Sequence, residues 1–365
     1  MQRSWIVIDR SAVTHNINEI IRYSGLAEIG LVVKANAYGH GLEAIVSIIR
    51  DDPRIKWLLV AGTCEALKLR TLGWRNNILA MAYHDADATE VIEQEIVIAM
   101  SNFDEMQSLM HAARLSKKSV RAHLKIETGM HRRGFTEEQL KHYFPVLNER
   151  SVISLEGSFT HLCNTNNQDT GFTYAQVERF NRIVQSMGKQ FPAYHHVLAS
   201  GSLWMSQKYH MVRVGTALYG SWKSQIQRAR LFDMTLHPVM RWYTTIVEIK
   251  IVEEGESIGY DAAFRATQRM RVALLPVGYA DGYQRRLAGL ASVMVRGYYA
   301  SILGIISMNM MTIDVSHIPE CKQGDEVLLI GPYDRISPYD LAQLIHTNPN
   351  EITTSLSSEI PRFVQ

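Results

Sequence analysis

Short apolar runs alternate with amphipathic stretches along the first two thirds of the chain. The apolar runs have the length and β-branched content of buried strands, and segments of helical period separate most of them. Eight such runs lie at 31–33, 57–61, 78–81, 96–100, 122–126, 155–160, 196–199 and 211–214. The clearest helical segments are 43–50, 65–72, 104–113, 137–147 and 174–187. This repetition predicts an α/β fold, a (β/α)8 barrel, with a doubly wound sheet as the competing architecture.

The pattern changes after residue 235. Residues 243–252 alternate between polar and apolar positions in the manner of one half-buried strand. Shorter β runs follow at 271–276, 292–295, 302–306, 311–315 and 327–330, with one helix near 338–346. A chain of 365 residues is also longer than one typical core supports. We therefore predict two domains, a barrel at residues 1–235 and a mostly β domain at residues 236–365.

Composition narrows the classes of function. A net charge of +2 gives no electrostatic basis for binding nucleic acid or a membrane surface. No apolar run approaches the roughly 18 residues needed to span a bilayer, and the first residues read as a short strand rather than a signal peptide. Cys64, Cys163 and Cys321 lie far apart, without the spacing of a metal site, which fits a reduced compartment. We expect a cytoplasmic protein without a bound metal.

The segment 33–41, with the sequence VKANAYGHG, carries the first candidate chemistry. Lys34 follows an apolar run and so lies at the carboxyl end of a predicted barrel strand, where such barrels place their catalytic groups. Tyr38, His40 and two glycines follow it. Because burial can lower the pKa of a lysine, its neutral amine can react with the aldehyde of a cofactor.

Other predicted strands also end on polar residues. They are Lys125, His161, Ser200 and Arg213. A barrel gathers the carboxyl ends of its strands at one mouth, so we expect these side chains to lie near Lys34. Ser200 and the turn at Gly215 and Thr216 offer hydroxyl and backbone N–H groups suited to a phosphate. A lysine and a phosphate site at one mouth predict pyridoxal 5′-phosphate as cofactor.

Several segments together resemble the alanine racemase family. They are 33–41, 125–134, 159–161, 213–220, 255–260 and 278–286, in order along nearly the whole chain. The resemblance implies an isomerase that interconverts L- and D-alanine with pyridoxal 5′-phosphate and supplies D-alanine for peptidoglycan. It also implies a homodimer with shared active sites, no nucleic-acid or membrane partner, and a barrel followed by a C-terminal β domain.

The resemblance also implies roles for individual residues. Lys34 and Tyr260 would be the two catalytic residues, with Tyr260 contributed by the partner subunit. The cofactor would be bound by Lys34, Tyr38, Arg132, His161, Ser200, Arg213, Gly215 and Thr216. The substrate would be bordered by Arg132, Tyr279 and Met308. Racemisation needs such a pair of bases, because one group removes the Cα proton and another returns it from the opposite side.

Three basic residues have more specific implied positions. Arg213 would face the pyridine nitrogen, and since a guanidinium only donates, that nitrogen would have to accept. Arg132 would lie near the cofactor's phenolic oxygen and the substrate carboxylate, with the neighbouring Arg133 as the alternative. Lys125 matches a lysine that is carbamylated in many members and then orients the arginine.

The chain also departs from the family pattern. The departures are Ile305 and Asn309 in place of an arginine and an aspartate, Ser358 in place of a tyrosine, Asn166 in place of an aspartate of the access corridor, and Asp261 in place of a glycine. They leave the catalytic positions intact and alter the corridor. Two interpretations remain open. Ile305 and Asn309 together replace an ion pair and leave alanine as the substrate, or the altered corridor is roomier and admits larger amino acids.

Three rival functions share parts of this pattern. The first is a racemase of broader range, acting on serine or basic amino acids. The second is a barrel decarboxylase of basic amino acids that uses the same cofactor, but its interface cysteine and glycine-rich phosphate loop find no convincing match here. The third is a non-enzymatic protein that binds the cofactor, which typically lacks a second domain.

Overall fold

The protein is described from a computed structural model over residues 3–147 and 152–365. The strands are β1 (Ser4–Ile8), β2 (Glu28–Val32), β3 (Trp57–Gly62), β4 (Asn77–Tyr83), β5 (Val97–Met100), β6 (Val120–Lys125), β7 (Ile153–Phe159), β8 (Tyr194–His196), β9 (Met211–Val214), β10 (Met240–Thr245), β11 (Glu248–Val252), β12 (Ser257–Ile258), β13 (Phe264–Arg265), β14 (Met270–Leu275), β15 (Ser292–Val295), β16 (Tyr298–Leu303), β17 (Met311–Asp314), β18 (Glu326–Ile330) and β19 (Arg362–Val364).

The helices alternate with the strands in the first part of the chain. They are α1 (Arg10–Ser24), α2 (Lys34–Tyr38), α3 (Leu42–Ile49), α4 (Thr63–Thr71), α5 (Ala88–Glu93), α6 (Phe103–Ser116), α7 (Glu137–Leu147), α8 (Gly171–Met187), α9 (Gln225–Arg230), α10 (Pro338–Leu344) and α11 (Pro349–Thr354). Short 3-10 turns occur at Ser200–Ser202, Tyr260–Ala262, Tyr279–Asp281 and Arg285–Leu287.

Strands β2 to β9 form a parallel barrel that is nearly closed. Their order is β8-β7-β6-β5-β4-β3-β2-β9, so β2 pairs with both β3 and β9. Between β8 and β9, the described chain shows the single bridge from Ala199 to Arg213. All eight strands overlap the apolar runs from which they were predicted. The predicted (β/α)8 barrel is therefore confirmed, and the doubly wound alternative is wrong.

Along each strand, side chains point alternately into the barrel interior and toward the surrounding helices. In β3, Leu58 and Val60 belong to the large core that the strands share with the helices. Trp57 and Leu59 belong to a smaller cluster made of strand residues, which includes Phe159 of β7. Since successive side chains on a strand point to opposite faces, the smaller cluster is the filling of the barrel.

The second domain is built on a mostly antiparallel sheet. Its order is β11-β14-β17-β16-β15-β18-β10-β1-β19. The strand β1 comes from the N-terminus of the chain, yet it pairs antiparallel with β10 and parallel with β19. The mostly β character predicted for this domain is confirmed. The boundary between residues 235 and 236 stays a prediction, and residues 4–8 lie in the second sheet.

Two local predictions in this domain were wrong or incomplete. The alternating stretch 243–252 is two strands, β10 and β11, rather than one. The chain turns at Ile246 and Val247, whose N–H groups donate to Asp325 and Leu274, so the two strands pair with different partners. A second late helix, α11, follows the predicted helix, and Asn348 caps its N-terminus by accepting from two backbone N–H groups.

No helix within the described part of the chain is both long and apolar enough to cross a membrane.

Candidate active site

A cavity of about 700 Å³ opens at the carboxyl ends of the barrel strands. Its lining includes the five residues expected there from the strand ends, which are Lys34, Lys125, His161, Ser200 and Arg213. The volume lies within the range of about 300–1,000 Å³ typical of small-molecule and cofactor sites. The strand-end residues predicted from the sequence therefore mark the cavity and make up much of its polar lining.

Lys34 enters the cavity from an unusual turn. The residues that follow it, Ala35 through Tyr38, all have φ values of 53–54°, so α2 is a left-handed turn. For non-glycine residues this conformation costs about 1–2 kcal/mol each, so other contacts must hold it in place. The Glu65 carboxylate accepts from the N–H of Ala35 at 2.6 Å, and the side chain of Asn36 accepts from the N–H of Leu42 at 2.8 Å. These bonds fix the direction in which Lys34 and Tyr38 point.

Burial lowers the pKa of both cavity lysines. For Lys34, burial is the largest cause, Arg132 adds repulsion, and Glu65 opposes the shift. For Lys125, which is 5% exposed, burial and the charges of Arg132 and Arg213 lower the pKa to about 8. Both amines therefore have a larger neutral, nucleophilic fraction near neutral pH than a surface lysine has.

Arg213 is buried and held by a set of acceptors. Its Nη1 lies 2.6 Å from the carbonyl of His196 and 3.0 Å from that residue's Nδ1. Its Nη2 donates to the carbonyls of Thr160 and Val197 at 2.7 and 3.1 Å, and lies 3.3 Å from Nδ1 of His161. Within the described residues Nε has no partner, so this N–H remains available to an acceptor in the cavity.

The two histidines that Arg213 contacts are held neutral. Burial and the neighbouring guanidinium lower the pKa of His161 and of His196 well below the usual value. Because Arg213 only donates, Nδ1 of His196 accepts and its Nε2 carries the hydrogen. That Nε2 lies 2.8 Å from Nδ1 of the buried His123, which therefore accepts in turn. A chain of oriented hydrogen bonds thus extends from the cavity wall into the barrel.

Hydroxyl and backbone groups form a cradle at one side of the cavity. The Oγ of Ser200 accepts from the N–H groups of Gly215 and Ala217 at 3.1 and 3.5 Å, which leaves its own O–H free to donate. A Cβ on Gly215 would lie 2.4 Å from the Tyr38 hydroxyl, so only glycine admits the tyrosine there. Burial raises the pKa of Tyr38 to about 12, so its hydroxyl stays protonated. Thr216 completes this wall.

Arg132 and Arg133 differ in what they contact. Arg133 forms an ion pair with Glu105, and its Nε donates to Ser101 at 3.0 Å. Arg132 makes no ion pair with any described residue, although it lines the same cavity. Its guanidinium is thus available to a ligand, whereas that of Arg133 is already bound within the protein.

The lining of the cavity is strongly cationic. The cations are Lys34, Lys125, Arg132, Arg133, Arg213 and Lys223, and no described aspartate or glutamate lines the cavity with them. Phe159 packs between two of these charges, with Nζ of Lys125 at 5.8 Å and Cζ of Arg213 at 5.4 Å from its ring centroid. Such a donor set fits an anionic ligand with a phosphate and a carbonyl group, and pyridoxal 5′-phosphate has both.

Sequence reasoning missed several polar residues of this site. Glu65 is the third residue of α4, directly after strand β3, and its contact to the Lys34 turn depends on how neighbouring strands align. Lys223 follows the matched segment 213–220 by three residues, which was the available signal. Asn350 and Thr354 also line the cavity, from the unpredicted helix α11.

Three residues with implied roles lie elsewhere on the chain. Tyr260, Tyr279 and Met308 are 68%, 42% and 56% exposed on the second domain. None of them lines the cavity of its own chain as described. Exposed tyrosine and methionine side chains of this kind suit a contact with another molecule.

The structure also gives the surroundings of the residues that depart from the family pattern. Ile305 is half-buried, and its backbone N lies 3.5 Å from a Cβ built on Gly259. Asn309 is exposed and lines a second cavity. Ser358 and Asp261 are exposed. The buried Oδ1 of Asn166 has no partner among the described residues and lies 3.8 Å from a Cβ built on Gly201, close to the cradle.

Comparison with known families assigns both halves of the chain. Residues 8–222 match the family of alanine racemase N-terminal domains, and residues 239–364 match that of alanine racemase C-terminal domains. Among curated proteins, alanine racemase 1 of Clostridium acetobutylicum is 32% identical over 368 residues, which cover 98% of this chain and 94% of that protein. The alanine racemase of Symbiobacterium thermophilum is also 32% identical and covers 100% of this chain and 97% of its own length.

Solved structures give the same result. The alanine racemase of Clostridium difficile 630 superposes with a TM-score of 0.93 at 26% identity, over 100% of this chain and 96% of its own. The Bacillus anthracis enzyme with bound L-Ala-P gives a TM-score of 0.90 at 27% identity, over 100% and 95% of the two chains. The resemblance found in the sequence is therefore confirmed, and the chain belongs to the alanine racemase family.

Proposed function

We propose that this protein is an alanine racemase that depends on pyridoxal 5′-phosphate and interconverts L- and D-alanine. The observation that carries the proposal is the placement of Lys34 and a phosphate-type cradle in one cationic cavity. The names of the full-length relatives at 32% identity support the choice of reaction. A supply of D-alanine for peptidoglycan, in the cytoplasm, is the role that family membership implies.

The described residues suit the aldehyde and the phosphate of the cofactor. The amine of Lys34 would bind its aldehyde carbon. The cradle of Tyr38, Ser200, Gly215 and Thr216 offers protonated hydroxyls and backbone N–H groups to its phosphate. When bound, the cofactor withdraws electrons from the substrate and so acidifies the Cα proton.

Arg213 and His161 would set the electrostatics around the cofactor ring. The Nε–H of Arg213 would face the ring nitrogen, which then has to accept because a guanidinium only donates. The five acceptors around Nη1 and Nη2 keep the guanidinium in a fixed orientation. Arg213 would thereby keep that nitrogen unprotonated, which would weaken the electron withdrawal that the cofactor supplies.

Arg132 would bind the substrate carboxylate. Its guanidinium is unpaired within the described chain, and an arginine can bind a carboxylate through two parallel hydrogen bonds. Lys125 would repel this arginine while it is protonated. With its pKa lowered to about 8, the amine has a neutral fraction able to react with carbon dioxide, and the resulting carbamate would attract Arg132 instead.

The second base would come from a second copy of the chain. Lys34 would hold or remove the proton at one face of the substrate Cα, and a two-base reaction requires another group opposite. Tyr260 is exposed and lies outside its own cavity. A homodimer in which each subunit supplies Tyr260, Tyr279 and Met308 to its partner's cavity satisfies both requirements.

A panel of single-enantiomer amino acids, incubated with the protein and added pyridoxal 5′-phosphate, tests this function. Loss of optical rotation from both L- and D-alanine is the expected result. Equal or faster loss with serine, lysine or arginine would favour the racemase of broader range, for which the altered residues Ile305 and Asn309 provide a reason. Release of carbon dioxide from lysine, ornithine or diaminopimelate without racemisation would contradict the proposal.

A further inference from the structure

Lys223 lies in the cavity next to the cradle but has no described partner for its charge. It lines the cavity together with Ser200, Gly215 and Thr216, and the residue is exposed overall. Its ammonium forms no hydrogen bond or ion pair with any residue the structure describes. The described fold therefore leaves this ammonium free to contact a ligand in the cavity.

A buried glutamine ties Lys223 to the cradle. Gln227, which is fully buried, accepts from the backbone N–H of Lys223 at 3.0 Å through Oε1. Its Nε2 donates to the carbonyl of Ser200 at 2.8 Å. One side chain therefore bridges Lys223 and the serine of the cradle, which fixes the distance between the lysine backbone and the phosphate-type donors.

The charge of Lys223 reaches into the cavity. Burial is the main cause that lowers its pKa, and the second is repulsion from Lys34. Lys223 is in turn one of the cations that lower the pKa of His161. The ammonium therefore lies within electrostatic range of Lys34 and His161, which line the same cavity.

The cradle itself contributes neutral donors. Tyr38, Ser200 and the backbone at Gly215 and Thr216 carry no formal charge, whereas a phosphate monoester carries about −1.5 to −2 near neutral pH. A cationic donor adds Coulombic attraction to such an anion, which a neutral hydroxyl or backbone N–H does not supply. A cation beside this cradle would complete it.

We propose that Lys223 is a charged ligand for the phosphate of the cofactor, added to the neutral cradle. This inference rests on the proposed function, because it assumes that pyridoxal 5′-phosphate occupies the cavity. It assigns Lys223 to binding and gives it no part in proton transfer. Because this contribution to affinity comes through the phosphate, it should be much smaller for a ligand that has the same aldehyde and no phosphate.

Titration of the apoprotein with pyridoxal 5′-phosphate and with pyridoxal tests this assignment. The variants are Lys223→Met, Lys223→Arg and, as a matched control on an exposed lysine, Lys189→Met. Binding is followed by absorbance and by quenching of tryptophan fluorescence. We expect Lys223→Met to raise the Kd for pyridoxal 5′-phosphate by about 10- to 100-fold, the range for losing one hydrogen bond to a charged group. The Kd for pyridoxal should change less than about twofold, Lys223→Arg should restore most of the affinity, and Lys189→Met should change neither.

The outcomes separate the two proposals. If the wild-type protein binds neither ligand, the proposed function itself fails. If the wild type binds both and Lys223→Met weakens both equally, Lys223 acts on the aldehyde or on folding, and the phosphate assignment is wrong. Unchanged affinity for pyridoxal 5′-phosphate in Lys223→Met overturns it as well. Competition between inorganic phosphate and pyridoxal 5′-phosphate gives a second readout. Inorganic phosphate should occupy the wild-type cavity at a lower concentration than it needs to occupy the cavity of Lys223→Met.

Discussion

Nη1 of Arg213 lies 3.0 Å from Nδ1 of His196, and this contact determines how the polar groups beneath the cavity are protonated. Arg213 is 3% exposed and pairs with no carboxylate in the described chain, so neutral acceptors alone stabilise its charge. His196 then donates from Nε2 to His123, 2.8 Å away. The orientation of the arginine therefore depends on a neutral histidine being present at position 196.

Replacing His196 with leucine should destabilise the protein and misplace Arg213. The change removes an acceptor for a buried cation, which costs about 1–3 kcal/mol, and it leaves His123 without its donor. The free energy of unfolding in urea measures the effect. The same substitution at the exposed His111 should stay within about 0.5 kcal/mol of wild type. Equal stability of the two variants would show that the His196 contact is unimportant.

Glu65→Gln should weaken the left-handed turn that presents Lys34. The carboxylate accepts from the N–H of Ala35 through Oε1 and from that of Ala61 through Oε2, at 2.6 and 2.8 Å. An amide has only one oxygen, so its NH2 group would face an N–H donor. We expect a loss of about 1–3 kcal/mol in unfolding free energy and weaker capture of the cofactor. Glu43→Gln, in the first turn of α3, makes the same chemical change at an exposed site and should have little effect.

Stability should fall between about pH 6.5 and pH 4. Burial lowers the pKa of His40, His84 and His195 to about 4 and that of His123 to about 3, so these rings stay neutral in the folded state. The unfolded chain binds their protons near pH 6.5, which means that it holds more protons than the folded state throughout this window. Protonation therefore favours unfolding as the pH falls. Urea unfolding at pH 7, 6, 5 and 4 measures the slope, and a flat profile above pH 5 would contradict these assignments.

Arg132→Met and Arg133→Met should separate binding from stability. Arg132 is unpaired in the described chain, so its loss should raise the KM for alanine by about 10-fold or more and leave unfolding nearly unchanged. Arg133 pairs with Glu105 and bonds Ser101, so its loss should reduce stability by about 1–2 kcal/mol. Steady-state kinetics together with urea unfolding distinguish them. A reversed pattern would exchange the roles of these neighbouring arginines.

The sequence predicted the barrel and the strand-end residues because both depend on local patterns. Apolar runs mark the buried strands, and the residues at or just after the end of each run lie at the mouth of the barrel whatever the details of packing. Lys34, Lys125 and Arg213 were found in this way.

Features that depend on contacts between segments distant in sequence could not be predicted from local patterns. The pairing of β1 with β10 and β19 joins segments more than 200 residues apart. The left-handed turn at Ala35 is formed by residues that ordinarily favour right-handed helix, and it persists because Glu65 on another element holds it. The sequence signal for Lys223 was its place just after the matched segment 213–220, and its position in the cavity depends on the buried Gln227 that bonds Ser200.

Complementation between two inactive variants tests the central claim most directly. Lys34→Ala and Tyr260→Phe should each lack racemase activity when purified alone. If each cavity combines Lys34 of one subunit with Tyr260 of the other, then subunits mixed by co-refolding form heterodimers that hold one intact site and one doubly altered site. Random pairing in a two-fold dimer predicts that about one quarter of the wild-type activity returns. Dimers that form and stay inactive, or a Lys34→Ala protein that racemises alanine by itself, would contradict the account.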